Sequence, residues 1–92
     1  MYYIYCHKRI DNLEIFYIGK GKKQLKNNPY PRAFTKSSRN KYWLNIVNKT
    51  KYEVEILFEF ETEVEAYKKE TELIIKYGFS WNNTGTLCNI IK

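Results

Sequence analysis

Tyr3-Ile4-Tyr5 and Tyr17-Ile18-Gly19-Lys20-Gly21 are the stretches on which the fold turns. Both are built from aromatic and β-branched residues, which suit a pleated surface. Between them lies a short polar run, Lys8 to Leu13, whose Asp11-Asn12 pair tolerates tight backbone conformations. The reading is a β-hairpin with strands over 2–6 and 14–18. Side chains alternate across a strand, so Ile4, Phe16 and Ile18 are expected in one core layer, with Tyr5 and Tyr17 on the opposite face. Gly19-Lys20-Gly21 should end the second strand, its glycines letting the backbone bend and approach a ligand closely. The spacing is not that of a Walker loop.

Working outward, Lys22 to Tyr30 reads as an irregular basic loop. Pro31-Arg32 opens a short helix, with proline in the first turn where its missing N–H matters little. Ser37-Ser38 offers an N-cap for a second helix of about ten residues, with Tyr42, Trp43, Ile46 and Val47 as the stripe facing the sheet. Residues 52–60 alternate cleanly. Tyr52, Val54, Ile56, Phe58 and Phe60 take one face; Glu53, Glu55 and Glu59 take the solvent face, where they do not read as a metal cluster. Thr62-Glu63-Val64-Glu65 is a capping box, and the helix it starts should run to Tyr77 and stop at Gly78. Leu87 to Ile91 is apolar apart from Asn89 and should lie back on the domain. The expected architecture is α+β: one domain over residues 1–92, a small three-stranded antiparallel sheet flanked by helices.

Charge narrows the partner. The 92-residue chain carries a formal +6. Residues 1–51 hold twelve Lys/Arg against Asp11 and Glu14, for +10, while residues 52–92 hold four Lys against eight Glu, for −4. The positive field therefore belongs to the first half, which favours a polyanion over a solvated basic surface because aromatic residues interleave the basic ones. Lys20, Lys22, Lys23, Lys36, Arg39 and Lys41 are the candidate phosphate contacts. Cys6 and Cys88 lack CxxC spacing, and His7 is the lone histidine, so a zinc site is not expected. No apolar run reaches membrane-spanning length, and no leader precedes the first strand, so the expectation is a cytoplasmic protein with two free thiols.

One residue breaks its pattern. On the helix from Glu63, the residues Ala66, Tyr67, Leu73, Ile74 and Tyr77 span an arc of about 120°. Glu70 falls inside that arc. A carboxylate there must be paired with a Lys or Arg, protonated, or bound to a cation, since burying it alone costs several kcal/mol. Asn89 reads either as a site amide or as a plain backbone-capping amide.

These residues resemble the GIY-YIG nucleases, a family that includes homing endonucleases, some restriction enzymes and the 3′-incision module of bacterial excision repair. Tyr3-Ile4-Tyr5 looks like the first motif with Tyr for its usual Gly. Tyr17-Ile18-Gly19 matches the second. Arg32 matches the family arginine, Ala66-x-x-x-Glu70-x-x-Leu73-Ile74 the metal-binding helix, and Leu87-Cys88-Asn89 the closing segment. Many homing members carry a histidine four residues after the arginine, where this chain has Lys36.

The resemblance implies a DNA endonuclease that hydrolyses phosphodiesters with a single Mg²⁺ (or Mn²⁺) held by Glu70. Arg32 would neutralise phosphoryl charge, Tyr5 or Tyr17 would orient or deprotonate water, and Asn89 would complete the catalytic set. So small a module would cut with weak sequence preference, or take specificity from a protein partner or further domain. Two other readings compete with it. One is a catalytically inactive nucleic-acid-binding module of the same fold; the other is a protein-interaction domain using the acidic strand and helix.

Overall fold

The computed structural model describes residues 1–25 and 27–89. The elements run β1 (Tyr2–Arg9), β2 (Ile15–Lys22), α1 (Pro31–Phe34), α2 (Lys41–Val47), β3 (Tyr52–Phe60) and α3 (Glu63–Tyr77). The strands form one antiparallel sheet in the order β2-β1-β3, so the fold is α+β as expected. Lys26 of the basic loop, and Ile90 and Ile91 of the closing run, lie outside the described residues.

Register decides what each face carries. Tyr3, Tyr5 and His7 lie opposite Gly21, Gly19 and Tyr17, and alternation puts all six on one face. Ile4 and Cys6, opposite Lys20 and Ile18, point to the other face. There Ile4, Cys6 and Ile18 close against Ala66, Leu73 and Ile74 of α3, together with Leu87. Burying an aliphatic side chain of this kind is worth about 1.5–3 kcal/mol, which is what holds α3 down. On the tyrosine face, Tyr3 and Tyr5 pack against Ala33 of α1, while Trp43 of α2 packs with Phe16 and Cys88.

Two β-bulges alter the expected layers. The register shifts between His7 and Lys8, leaving Phe16 as the extra residue of β2. Phe16 consequently leaves the Ile4–Ile18 layer and joins Trp43. A second shift between Ile4 and Tyr5 inserts Leu57 into β3. Tyr52, Val54 and Ile56 keep to the tyrosine side, but Phe58 and Phe60 cross to the α3 side. Glu59, opposite Tyr3, crosses the other way and accepts from Tyr30 Oη at 3.0 Å.

The helix ends follow their caps. Thr62 accepts the Glu65 N–H at 3.3 Å and its hydroxyl donates to the Glu65 carboxylate at 2.8 Å. Gly78, at φ 66°, closes α3 through its N–H on Ile74 O, a backbone conformation that favours glycine. In α2 the cap is Asn40, whose side chain accepts the Trp43 N–H at 2.9 Å, and not Ser37 or Ser38. Ser38 has φ 59°, outside any helix entry, and the chain must first bring Arg39 back onto α1 before the helix begins. The helix is therefore seven residues long.

The closing segment runs along the outer edge of β2. Thr86 Oγ1 donates to Ile15 O at 2.7 Å, and the Cys88 N–H donates to Phe16 O at 2.7 Å. Asn89 completes the row at Ile18. Beyond Ile18, the outer side of β2 carries no such cover among the described residues.

Candidate functional site

Gly19 and Gly21 are not bends: they lie within extended β2, opposite Tyr5 and Tyr3. A Cβ on Gly19 would collide with the ring and hydroxyl of Tyr5, and one on Gly21 with those of Tyr3. The glycines thus let two tyrosine rings lie flat across the strand. Each ring carries its hydroxyl to a definite partner. Tyr3 Oη accepts the N–H groups of Arg32 and Ala33 at 3.0 and 3.3 Å, tying β1 to the start of α1. Tyr5 Oη accepts from Arg39 Nη1 at 3.0 Å.

Arg39 is the centre of this face, although the residue is only 9% exposed. Its Nε donates to Thr35 O at 2.9 Å and Nη2 to Arg32 O at 2.7 Å. The guanidinium lies 5.0 Å from the Tyr17 ring centroid, 5.7 Å from that of Tyr5 and 5.6 Å from that of Trp43. A planar, weakly hydrated cation suits such stacking where an ammonium would not. Among the described residues it forms no ion pair with a carboxylate. Burial pushes the Tyr5 hydroxyl up to about 12 against the pull of Arg39 and Arg32, so Tyr5 holds its proton.

The sequence reading uses His7 only as the lone histidine that argues against a zinc site. It is fully buried on the same face. The Trp43 indole donates to Nδ1 at 2.9 Å, which leaves Nε2 to carry the hydrogen that Ala33 O accepts at 2.7 Å. Burial, with Arg39 and Arg32 adding to it, drives His7 down to about 4. The imidazole is a neutral clamp joining β1 to α1 and α2. Only the long-range pairing with Trp43 reveals it.

Tyr5, Tyr17, Arg32 and Arg39 are therefore brought together. Tyr17 is half-buried, its ring stacked 6.2 Å from Tyr5 and 5.5 Å from His7. Its hydroxyl makes no hydrogen bond among the described residues. The guanidinium of Arg32, half-buried at the start of α1, makes none either, and it forms no ion pair there.

Glu70 lies elsewhere. Helix α3 covers the isoleucine face, across the sheet from the tyrosines. The carboxyl is half-buried, with no hydrogen bond or ion pair to any described residue. Burial raises its pKa, and only Lys20 opposes that. Lys20, on the α3 side opposite Ile4, gives its ammonium to Glu63 at 3.0 Å. The salt-bridge alternative for Glu70 is not realised here. No group of three or more His, Cys, Asp or Glu side chains gathers as for a metal among the described residues.

Asn89 spends its amide on structure. Its Oδ1 accepts the Ile18 N–H at 3.1 Å and its Nδ2 donates to Ile18 O at 2.6 Å, as a neighbouring strand would. Of the six basic candidates, Lys22, Lys36 and Lys41 are exposed, Lys23 pairs with Glu59 at 2.8 Å, and Lys20 and Arg39 are engaged as described. Among the described residues no helix is long and apolar enough to cross a membrane.

No protein family, curated protein or solved structure matches this chain.

Proposed function

We propose that the chain is a metal-dependent DNA endonuclease of the GIY-YIG type. It would hydrolyse phosphodiester bonds with one Mg²⁺ (or Mn²⁺) and little sequence preference of its own, or take specificity from a protein partner or further domain. The observation that carries this reading is Glu70: a half-buried carboxyl, its pKa raised by burial, with no hydrogen-bond or ion-pair partner among the described residues. A lone carboxylate completed by water and a substrate phosphate is a donor set Mg²⁺ accepts, since the ion keeps much of its hydration shell. When bound, the ion supplies Lewis-acid stabilisation of phosphoryl and leaving-group oxygens.

The chain's own groups support the rest. β2 is an edge strand, uncovered beyond Ile18 among the described residues; Lys20 lies on this open stretch and the half-buried Tyr17 just before it, on the other face. A DNA strand laid along this edge reaches both. Arg32, whose guanidinium has no partner among the described residues, would neutralise charge developing on the phosphoryl group. Tyr5, its oxygen held by Arg39, keeps its proton and donates it as a hydrogen bond. Tyr17 is left as the tyrosine whose hydroxyl is open to orient or deprotonate water.

The second reading is a catalytically inactive nucleic-acid-binding module, favoured by the separation of Glu70 from the tyrosines across the sheet. Supercoiled plasmid distinguishes the two. Wild-type protein in Mg²⁺ should give nicked or linear product, while EDTA and Glu70→Ala should give none. Folded protein that shifts DNA but leaves plasmid intact in Mg²⁺ would instead establish the binding module.

A further inference from the structure

An open groove of about 690 Å³ lies beyond Trp43, between α2, the β1–β2 turn and the start of β3. Its rim carries three exposed lysines, Lys36, Lys49 and Lys51, and no carboxylate among the described residues lines it. None of the three forms an ion pair among the described residues. The floor is aliphatic: Ile10 and Leu44 are 50% and 44% exposed, and Val47 is half-buried beside them. The Ile10 N–H donates to Lys51 O at 3.1 Å, so turn and strand hold one another in place.

We infer that this groove binds an unpaired stretch of nucleic acid, phosphates on the lysines and bases against the floor. The inference rests on the nucleic-acid reading of the tyrosine face and extends it to a single-stranded segment beside the duplex. Trp43 joins the two regions, because Arg39 stacks on its ring and the same residue walls the groove. A duplex turns phosphates outward and keeps its bases stacked inside; it would reach the lysines and leave Ile10 and Leu44 wet. An unpaired strand covers both, the combination of positive groove and apolar contact by which single strands are held. Half-buried Tyr52 adds an aromatic side chain to the lining at one end. The volume is in the range of sites that enclose small ligands, enough for a nucleotide or two.

The test is fluorescence anisotropy in EDTA with labelled oligothymidylate of about ten nucleotides, within the usual single-strand site size, and a blunt duplex of equal length. Lys36→Glu/Lys49→Glu/Lys51→Glu should weaken oligothymidylate binding about tenfold or more at low salt. It should also flatten the log affinity against log salt slope by about 2, three contacts at roughly 0.7 each. Leu44→Ser should weaken single-strand binding several-fold, with the slope and duplex affinity unchanged. If wild type binds or cuts duplex while neither variant alters single-strand affinity, the groove assignment fails and the nuclease reading survives. If wild type binds neither DNA, both fail. Preference for a labelled hexaglutamate peptide over the oligonucleotide would overturn the assignment in favour of an acidic protein segment.

Discussion

The two faces of the sheet bury polarity in opposite ways. The tyrosine face encloses an arginine, a histidine, two tyrosine hydroxyls and an indole N–H, and each has a partner within hydrogen-bond distance. The isoleucine face is an aliphatic core with one half-buried carboxyl, Glu70, at its margin, and among the described residues that carboxyl has none. Chemically the first face is the richer in catalytic residue types. Yet most of those residues are explained by folding alone, since a buried polar group with its bonds made adds specificity without a large penalty. Glu70 has no such explanation.

If the tyrosine face is a satisfied network, breaking its centre should have the largest effect. Arg39→Ala strands Tyr5 Oη and Thr35 O, leaves Arg32 O with only the Thr35 N–H at 3.3 Å, and removes the cation from three rings; urea unfolding should show a loss of about 3–4 kcal/mol. A loss under about 1 kcal/mol would mean the face is held by ring packing and the bonds are incidental.

His7 comes next, and its effect depends on pH. Its pKa is lowered in the folded state, so the unfolded chain binds the extra proton between the two values. The stabilisation is complete above the ordinary histidine value of 6.5 and is lost as pH falls towards about 4. Over that window the loss is about 3 kcal/mol. Urea unfolding across that pH range should show it as a difference between wild type and His7→Gln, whose side chain does not titrate. Parallel pH profiles would sink the clamp.

Asn89→Ala bares the N–H and C=O of Ile18 and should cost about 2 kcal/mol, read in the same way. Loss of DNA cleavage with stability intact would instead place the amide in the chemistry. The smallest of these effects belongs to the α3 side: Thr62→Ala removes the cap and should cost about 1 kcal/mol.

Much of this architecture was legible in the residues, and the exceptions share one cause. The common face of Tyr5 and Tyr17 followed from the hairpin pairing, while the capping box at Thr62, the stop at Gly78 and the strand at 52–60 are local or period-two features. They need no knowledge of neighbours. Phe16 and the Phe58–Phe60 pair were misplaced because a bulge exists only relative to a partner strand. The roles of Gly19 and Gly21 are cross-strand as well, written in the rings opposite them. Asn40 displaced the serines as cap because Arg39 had first to reach Thr35 and Arg32. At the site, Glu70 was visible as an apolar-arc carboxylate, but its position across the sheet from Tyr5 and Tyr17 was not. His7 and Trp43 lie 36 residues apart, beyond any periodicity.

The most direct test of the account pairs two readings on one variant, Glu70→Gln. The substitution keeps the shape and removes a half-buried charge that, among the described residues, no hydrogen bond or ion pair meets and only the Lys20 ammonium offsets at a distance. The account predicts a melting temperature a few degrees above wild type and, in Mg²⁺, no nicking of supercoiled plasmid that wild type nicks. A variant that nicks like wild type, or that melts lower, would contradict it: Glu70 would then be a residue the fold needs and the chemistry does not.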